Sequence, residues 1–190
     1  MSSDRKAVTV TCIQLGCVAA MLVTVFGTTP PIAAQTSLAP FIATPSDVVD
    51  RMLRFAGVGP TDTVYDLGSG DGRIVIEAAK TFGARGVGLD IDARLVQQAT
   101  AAAMAAGVAD RVTFRVQDAM TADVSEASVV TLYLLAASNV KLRPRLQAQL
   151  RSGARIVAHN FGMGDWEPTR VETFVDAGGG TRTLMLWRIP

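Results

Sequence analysis

The chain has 190 residues, of which 49% are hydrophobic and 18% charged, and its formal net charge is +1. The length fits one globular domain with a short apolar appendage, and the composition excludes an intrinsically disordered chain, a collagen and a disulfide scaffold. The near-zero net charge argues against a protein held to nucleic acid mainly by bulk electrostatics. Both cysteines, Cys12 and Cys17, lie close to the amino terminus, so the rest of the chain has no disulfide, cysteine nucleophile or thiolate metal site.

The first segment, 1–36, is predicted to be a signal peptide or a membrane anchor. Ala7–Phe26 is an apolar run that Arg5 and Lys6 precede, and its length approaches that of a membrane span. Pro30–Gln35 offers a small-residue cleavage site, so both interpretations stay open. Positive charge before the run predicts insertion with the amino terminus inward, which would make the domain membrane-associated or exported.

The second segment, 37–190, is predicted to form the folded domain, as a monomer. A helix is expected to start at Thr44, because Thr44–Asp47 combines an N-cap threonine, a proline and an acid three residues after the cap. Thr63–Leu67 is a short apolar run typical of a strand, and it enters the glycine cluster of residues 68–72. Apolar residues at helical spacing follow.

Further elements alternate along the chain. Strands are predicted at Gly86–Asp90, Val112–Val116, Ser128–Leu134 and Gly153–His159, with helices from Asp92 to Gly107 and around Leu142–Leu150. Arg170–Val175 and Thr181–Ile189 predict a closing hairpin. This alternation predicts a doubly wound, Rossmann-like α/β fold with a mostly parallel sheet and an antiparallel carboxyl-terminal hairpin.

The candidate binding site lies at the end of the first predicted strand. Asp66–Gly72 has the sequence DLGSGDG and stands where ligands bind in open α/β sheets. Asp90 ends the second strand, at a sequence distance suited to binding ribose hydroxyls. Glycines let the backbone approach a ligand closely, so the pattern predicts an adenosine-containing cofactor.

Two features favour S-adenosylmethionine over a dinucleotide. The spacing is G-x-G-x-G, and Asp66 and Asp71 would serve a pyrophosphate poorly but complement a sulfonium and an ammonium. Asp118, just past the third strand, is placed to accept a hydrogen bond from the adenine amine. The alternatives are that Asp71 only caps its helix and that Asp118 is a turn residue.

The sequence resembles the class I S-adenosylmethionine-dependent methyltransferases. Within them it is similar to the archaeal broad-specificity protein-lysine methyltransferases and the FAM173-type lysine methyltransferases. The similar stretches are Pro40–Leu53, Val64–Ile76, Asp123–Leu135, Leu142–Leu150 and Gly153–Pro168. The glycine loop indicates the class, whereas Pro40–Pro45 and His159–Pro168 indicate the lysine-methylating branch.

The resemblance implies a set of cofactor-binding residues and no metal. Together with the loop pattern, it predicts that S-adenosylmethionine is bound by Thr44, Asp66, Gly68, Ser69, Gly70, Asp90 and Asp118. Two positions depart from the family: Asp90, where relatives often carry Glu, and Asn160, where the archaeal enzymes carry an acid. No catalytic acid or base is assigned.

The acceptor side of the site carries aromatic residues. A lysine amine must be neutral to attack, and an apolar slot built from Tyr133, Leu134, Phe161 and Trp166 would favour that form. The alternative is that these side chains are ordinary core residues. His159 is similarly either a base or a satisfied residue at a strand end. The fourth strand ends without an Asn-Pro-Pro-Tyr sequence, which disfavours adenine and glutamine acceptors.

Three functions follow from these patterns. The first is an S-adenosylmethionine-dependent methyltransferase acting on protein lysine, the second is the same enzyme class with a small-molecule acceptor, and the third is a non-catalytic S-adenosylmethionine or nucleotide-binding module at a membrane. No specific nucleic-acid partner is expected. The basic stretch from Lys141 to Arg155 is predicted to be a solvated face, or else a surface that meets an acidic protein or anionic lipid.

Overall fold

The structure of the protein is a computed structural model that describes residues 43–190. The predicted signal peptide or anchor, both cysteines and the stretch Pro40–Ile42 lie outside the described residues. Within the described range, no helix is long and apolar enough to cross a membrane.

Seven strands form one sheet in the order β3-β2-β1-β4-β5-β7-β6. They are β1 (Thr63–Leu67), β2 (Arg85–Asp90), β3 (Val112–Val116), β4 (Val129–Leu132), β5 (Arg155–His159), β6 (Arg170–Val175) and β7 (Thr181–Arg188). The first five are parallel, whereas β7 runs antiparallel to both β5 and β6. The predicted doubly wound α/β fold with an antiparallel carboxyl-terminal hairpin is confirmed.

Helices cover both faces of the sheet. They are α1 (Ser46–Phe55), α2 (Arg73–Phe82), α3 (Ala93–Ala105) and α4 (Ala136–Gln149). One core cluster joins α1 and α2 to the sheet through residues such as Met52 and Ile74, and a second joins α4 to it through Leu142 and Leu146. The alternation of β1 explains this division, since Val64 belongs to the first cluster and Leu67 to the second.

Two predicted boundaries are wrong in instructive ways. Helix α1 has Pro45 as its N-cap residue with no side-chain cap, so Thr44 is not the cap. Strand β4 ends at Leu132 rather than Leu134, because the chain leaves the ladder there and turns into α4. Both changes free residues beside the carboxyl edge of the sheet.

Candidate cofactor and acceptor site

The site is built where the strand order reverses. Strands β1 and β4 are neighbours in the sheet, yet the chain leaves β1 toward one edge and β4 toward the other, and their carboxyl ends border a crevice. Asp66 and Thr131 are register partners across these strands. The Thr131 hydroxyl donates a hydrogen bond to Asp66 Oδ1 over 2.7 Å. A carboxyl group is therefore fixed at the base of the crevice.

The glycine loop has a backbone that other residues adopt only with strain. Gly68, Gly70 and Gly72 have φ angles of 86°, 55° and 80°, in the left-handed region. The Gly68 and Ser69 amides donate to the Leu89 carbonyl over 2.8 and 2.9 Å, which docks the loop on β2. A β-carbon at Gly68 would lie 2.8 Å from Leu134 Cδ2. The loop therefore brings bare backbone to the crevice and lies against the segment that follows β4.

Asp90 connects this loop to the end of β2, as the sequence predicts. Its Oδ2 accepts a hydrogen bond from the Gly70 amide over 2.8 Å, and its Oδ1 accepts one from the Asp92 amide over 2.9 Å. Each carboxylate oxygen has capacity for a second donor. The half-buried Asp90 can therefore hold the loop and still accept hydrogen bonds from the vicinal hydroxyls of a ribose.

Asp66 is a carboxyl group that no cation of the described residues pairs with. The residue is 3% exposed, and burial raises its pKa to about 7, with Asp90 and Asp71 adding to the rise and the Thr131 hydrogen bond opposing it. A cationic ligand in the crevice would favour the ionised form. The electrostatics of the site thus suit a ligand that carries positive charge.

Asp71 does not contribute a free charge to the site. Its two oxygens accept hydrogen bonds from the Arg73 side chain over 2.6 to 3.1 Å. Although burial acts to raise it, the Arg73 hydrogen bonds and charge leave the pKa of Asp71 below its usual value. Arg73 also donates from Nη1 to the Thr44 carbonyl over 2.8 Å. The expectation that Asp71 faces a sulfonium is therefore wrong in this structure.

Two other predicted residues have local structural roles. The buried Ser69 hydroxyl lies 2.8 Å from where a β-carbon on Gly88 would be, so it points beneath the loop. Asp118 Oδ1 accepts a hydrogen bond from the Met120 amide over 2.8 Å, which is a turn contact. Ser69 can offer its backbone to a ligand, and the half-buried Asp118 keeps a second oxygen for an adenine amine.

The acceptor side is an aromatic cluster at the ends of β4 and β5. The Tyr133 ring stacks on His159 with centroids 4.1 Å apart, and Phe161 lies 6.3 Å from Tyr133. His159 is fully buried, and burial lowers its pKa to about 4, with the positive charge of Arg182 adding to the fall and Asp176 opposing it. The imidazole is therefore neutral at physiological pH and is a weak base.

Asn139 belongs to this cluster, and the sequence patterns do not single it out. The side chain is fully buried, and Nδ2 donates to the Phe161 carbonyl over 2.9 Å. Within residues 43–190, Asn139 Oδ1 and both His159 nitrogens are among the few buried side-chain polar atoms without a hydrogen-bond partner. Buried polar atoms are rarely left unpaired in native proteins. A polar residue soon after a fully buried strand was the available signal.

The predicted aromatic slot is only partly assembled. Trp166 packs on Trp187, whose Nε1 donates to the Trp166 carbonyl over 2.7 Å, and Arg143 lies over its ring. That contact puts Trp166 in the core cluster of α4. Tyr133 and Phe161 share the site, whereas Trp166 packs elsewhere. Asn160, with φ of 62°, accepts a hydrogen bond from the Thr183 amide and so ties β5 to β7.

The basic stretch is mostly used inside the molecule. Arg145 donates to the Thr121 and Ala122 carbonyls, and Arg151 donates to the Ser125 carbonyl. Arg143 pairs with Asp165, and Arg155 pairs with Asp62. The prediction of a freely solvated basic face is therefore wrong for these arginines, which fasten loops to the core.

Comparison with known proteins identifies the family. Residues 66–170 match the family described as the ANTKMT methyltransferase domain. The chain belongs to this methyltransferase family. The matched range begins at Asp66, so it contains the glycine loop, Asp90, Asp118 and the aromatic cluster.

Relatives of this methyltransferase are similar over most of its length. A protein-lysine N-methyltransferase of Saccharolobus islandicus is 40% identical over 79% of this chain and 93% of its own. An ATP synthase lysine N-methyltransferase of Mus musculus is 33% identical over 80% of this chain, which matches 62% of the mouse protein. The crystal structure of an RNA methyltransferase from Salinibacter ruber in complex with S-adenosyl-L-homocysteine is 56% identical. It has a TM-score of 0.73 and covers 78% of this chain and 94% of that one.

The cofactor of this methyltransferase is S-adenosyl-L-methionine. The residues present fit it: a left-handed glycine loop offers bare backbone, Asp90 retains acceptor capacity, and the buried Asp66 pairs with no cation of the described residues. These observations agree with the electrostatics expected for a sulfonium and an ammonium.

Proposed function

We propose that this protein is an S-adenosylmethionine-dependent protein-lysine N-methyltransferase. The observation that carries the proposal is the 40% identity to the archaeal protein-lysine N-methyltransferase across 93% of that protein. The mouse relative is a lysine N-methyltransferase of ATP synthase, which supports the same chemical class of acceptor.

The cofactor residues have separable roles in this proposal. Asp90 binds the ribose hydroxyls, the loop from Gly68 to Gly70 lies along the cofactor, and Asp66 offsets the positive charge of its ammonium. Asp118 and Thr44 complete the adenine side and the mouth of the pocket. S-adenosylmethionine supplies an electrophilic methyl group on a sulfonium.

The acceptor residues must present a neutral amine. Its lone pair forms the new N–C bond as the C–S bond breaks and the electron pair returns to sulfur, and the methylated nitrogen then releases a proton to solvent. Tyr133 and Phe161 exclude water and so favour the uncharged amine. Asn139 Oδ1 accepts one amine N–H, which leaves the lone pair free to point at the methyl group. Admission of the amine requires the half-buried rings of Tyr133 and Phe161 to part.

RNA methylation is the second candidate, because the similar Salinibacter ruber protein is described as an RNA methyltransferase. The described residues give it less support. Four arginines of the basic stretch, Arg143, Arg145, Arg151 and Arg155, are bound to carbonyls or carboxylates of the protein itself. Binding an RNA backbone needs cations that are free to contact phosphates.

The test is a transfer assay with labelled S-adenosylmethionine. The purified protein is incubated with a cell lysate, and label is followed into protein, RNA and small molecules, with the Asp90→Ala variant as the control. Acid hydrolysis of labelled protein should release methyl-lysine. Label that nuclease removes would favour RNA, label in the small-molecule fraction would favour a metabolite acceptor, and no transfer despite cofactor binding would favour a non-catalytic module.

A further inference from the structure

Arg73 occupies a central position beside the glycine loop. Its Nε donates to both oxygens of Asp71, over 3.0 and 3.1 Å, and its Nη2 donates to Asp71 Oδ2 over 2.6 Å. The remaining Nη1 donates to the Thr44 carbonyl over 2.8 Å. One guanidinium therefore joins the loop before α2 to the chain immediately before α1.

These contacts use the geometry of a guanidinium fully. Arginine presents a planar fork of donors, which can bind a carboxylate with one edge and a carbonyl with another. A lysine ammonium is a single point of charge and cannot copy both contacts in one orientation. The Arg73 and Asp71 side chains are 37% and 32% exposed, so solvent screens their interaction only in part.

The segment that Arg73 holds is also fastened from the far side of the sheet. Thr44 is 4% exposed and precedes Pro45, the N-cap of α1. Asp47 in the first turn of α1 accepts a hydrogen bond from the Ala177 amide in the β6–β7 turn. On the cofactor side, Arg73 fastens this segment through the Thr44 carbonyl.

We propose that Arg73 is a positioning residue that holds the Ala43–Pro45 segment over the glycine loop and thereby sets the affinity for S-adenosylmethionine. It does so while neutralising Asp71, so its contribution is geometric. This inference rests on the cofactor assignment and does not depend on which acceptor is methylated.

The competing interpretation predicts an effect of the opposite sign. If the Asp71 carboxylate acted directly on the sulfonium, removing the Arg73 charge would free that carboxylate and tighten S-adenosylmethionine binding. It would leave S-adenosylhomocysteine almost unaffected, because a thioether carries no charge. A positioning role weakens both ligands to the same extent.

The experiment measures both dissociation constants by calorimetry for the full chain and its variants. Arg73→Met should raise both by about tenfold or more, the scale of a lost charged hydrogen bond, and Arg73→Lys should be intermediate. Arg94→Met is the matched control, because Arg94 pairs with Asp92 at the start of α3 in the same way but is 86% exposed. It should leave both constants unchanged.

Two results would overturn the proposal. They are unchanged affinity in a folded Arg73→Met variant and tighter binding of S-adenosylmethionine alone. If Arg73→Met does not fold, the Arg73→Lys variant decides, since equal weakening of both ligands supports positioning and no weakening refutes it. Loss of methylation on lysine without any change in these constants would count against the proposed function and not against this inference.

Discussion

Single residues at the carboxyl edge of the sheet account for the cofactor preference. Asp90 is the clearest example, because one carboxylate fixes the Gly70 and Asp92 amides and remains able to accept ribose hydroxyls. Two hydrogen bonds to a charged acceptor explain why an acid at this position is structural as well as cofactor-binding.

We expect Asp90→Ala to weaken S-adenosylmethionine binding by roughly 1.5–3 kcal/mol, the range for hydrogen bonds to charged groups. Asp90→Asn should lose less, because the amide keeps one acceptor oxygen. Calorimetry with S-adenosylmethionine and with NAD checks both the effect and the cofactor class. Unchanged affinity in Asp90→Ala, or tighter binding of NAD than of S-adenosylmethionine, would contradict the assignment.

Asp66 makes stability depend on pH. Burial raises its pKa from 3.8 to about 7, so between these values the folded protein binds more protons than the unfolded chain. The free energy of unfolding therefore falls as pH rises from about 4 to about 7, by roughly 2–4 kcal/mol, and levels off above that. His159 acts oppositely, since its lowered pKa removes stability as pH falls from 6.5 toward about 4.

The Asp66→Asn variant isolates this contribution. Urea denaturation of both proteins at pH 5 and pH 8 should show the variant gaining stability relative to the wild type at the higher pH, because the variant buries no charge. Equal differences at the two pH values would show that Asp66 keeps an ordinary pKa.

Asn139 provides a residue-scale test of the acceptor site. If its Oδ1 accepts an amine N–H, Asn139→Leu should lower kcat/KM about tenfold for a lysine peptide and much less for a dimethyl-lysine peptide, whose neutral amine has no N–H to donate. A purely structural role would lower both alike. The paired measurement therefore distinguishes the two, and intact S-adenosylmethionine affinity verifies the fold.

At the scale of elements, close packing of α2 and α3 on the sheet depends on glycines. A β-carbon at Gly72 would lie 2.5 Å from Phe114 Cζ and 2.8 Å from the Ala99 β-carbon. Gly107, after α3, also has a positive φ, of 71°, but nothing lies within 4 Å of its added β-carbon. The two positions share backbone strain and differ in steric room.

Gly107→Ala should therefore cost about 1 kcal/mol of stability through backbone strain alone. Gly72→Ala should cost roughly 1–3 kcal/mol more, because the neighbours must also shift. Chemical denaturation monitored by circular dichroism measures both. Equal losses would mean that Phe114 moves aside freely.

At the scale of the whole molecule, the described residues supply both core clusters from their own helices and strands. A chain that begins at Ser37 should therefore be folded, soluble and monomeric or nearly so, with the affinity of the full chain for S-adenosylmethionine. Thermal melting, sedimentation and calorimetry provide the comparison. A truncated chain that unfolds or loses cofactor would make residues 1–36 part of the fold.

The same segment is expected to determine location. Residues 1–36 fused to a reporter should insert with the amino terminus inward, since Arg5 and Lys6 precede the apolar run. Protease protection of the reporter measures this. A reporter that stays in the cytosol would contradict the anchor or signal prediction.

The sequence by itself determined the order of elements, the fold class and the cofactor. Parallel-sheet strands are buried on both faces and the glycine loop needs special backbone angles, so both leave local patterns in the chain. The identities of Asp66, Gly68 and Asp90 at consecutive strand ends carried the cofactor interpretation for the same reason.

Only the tertiary structure decided which charges are free and which side chains meet. Arg73 neutralises Asp71, the arginines after Lys141 reach carbonyls of distant loops, and Trp166 packs on Trp187 away from Tyr133. Asn139 joins the acceptor cluster through the Phe161 carbonyl, 22 residues along the chain. Such contacts depend on how long side chains and loops fold back over the sheet, and no local periodicity encodes that.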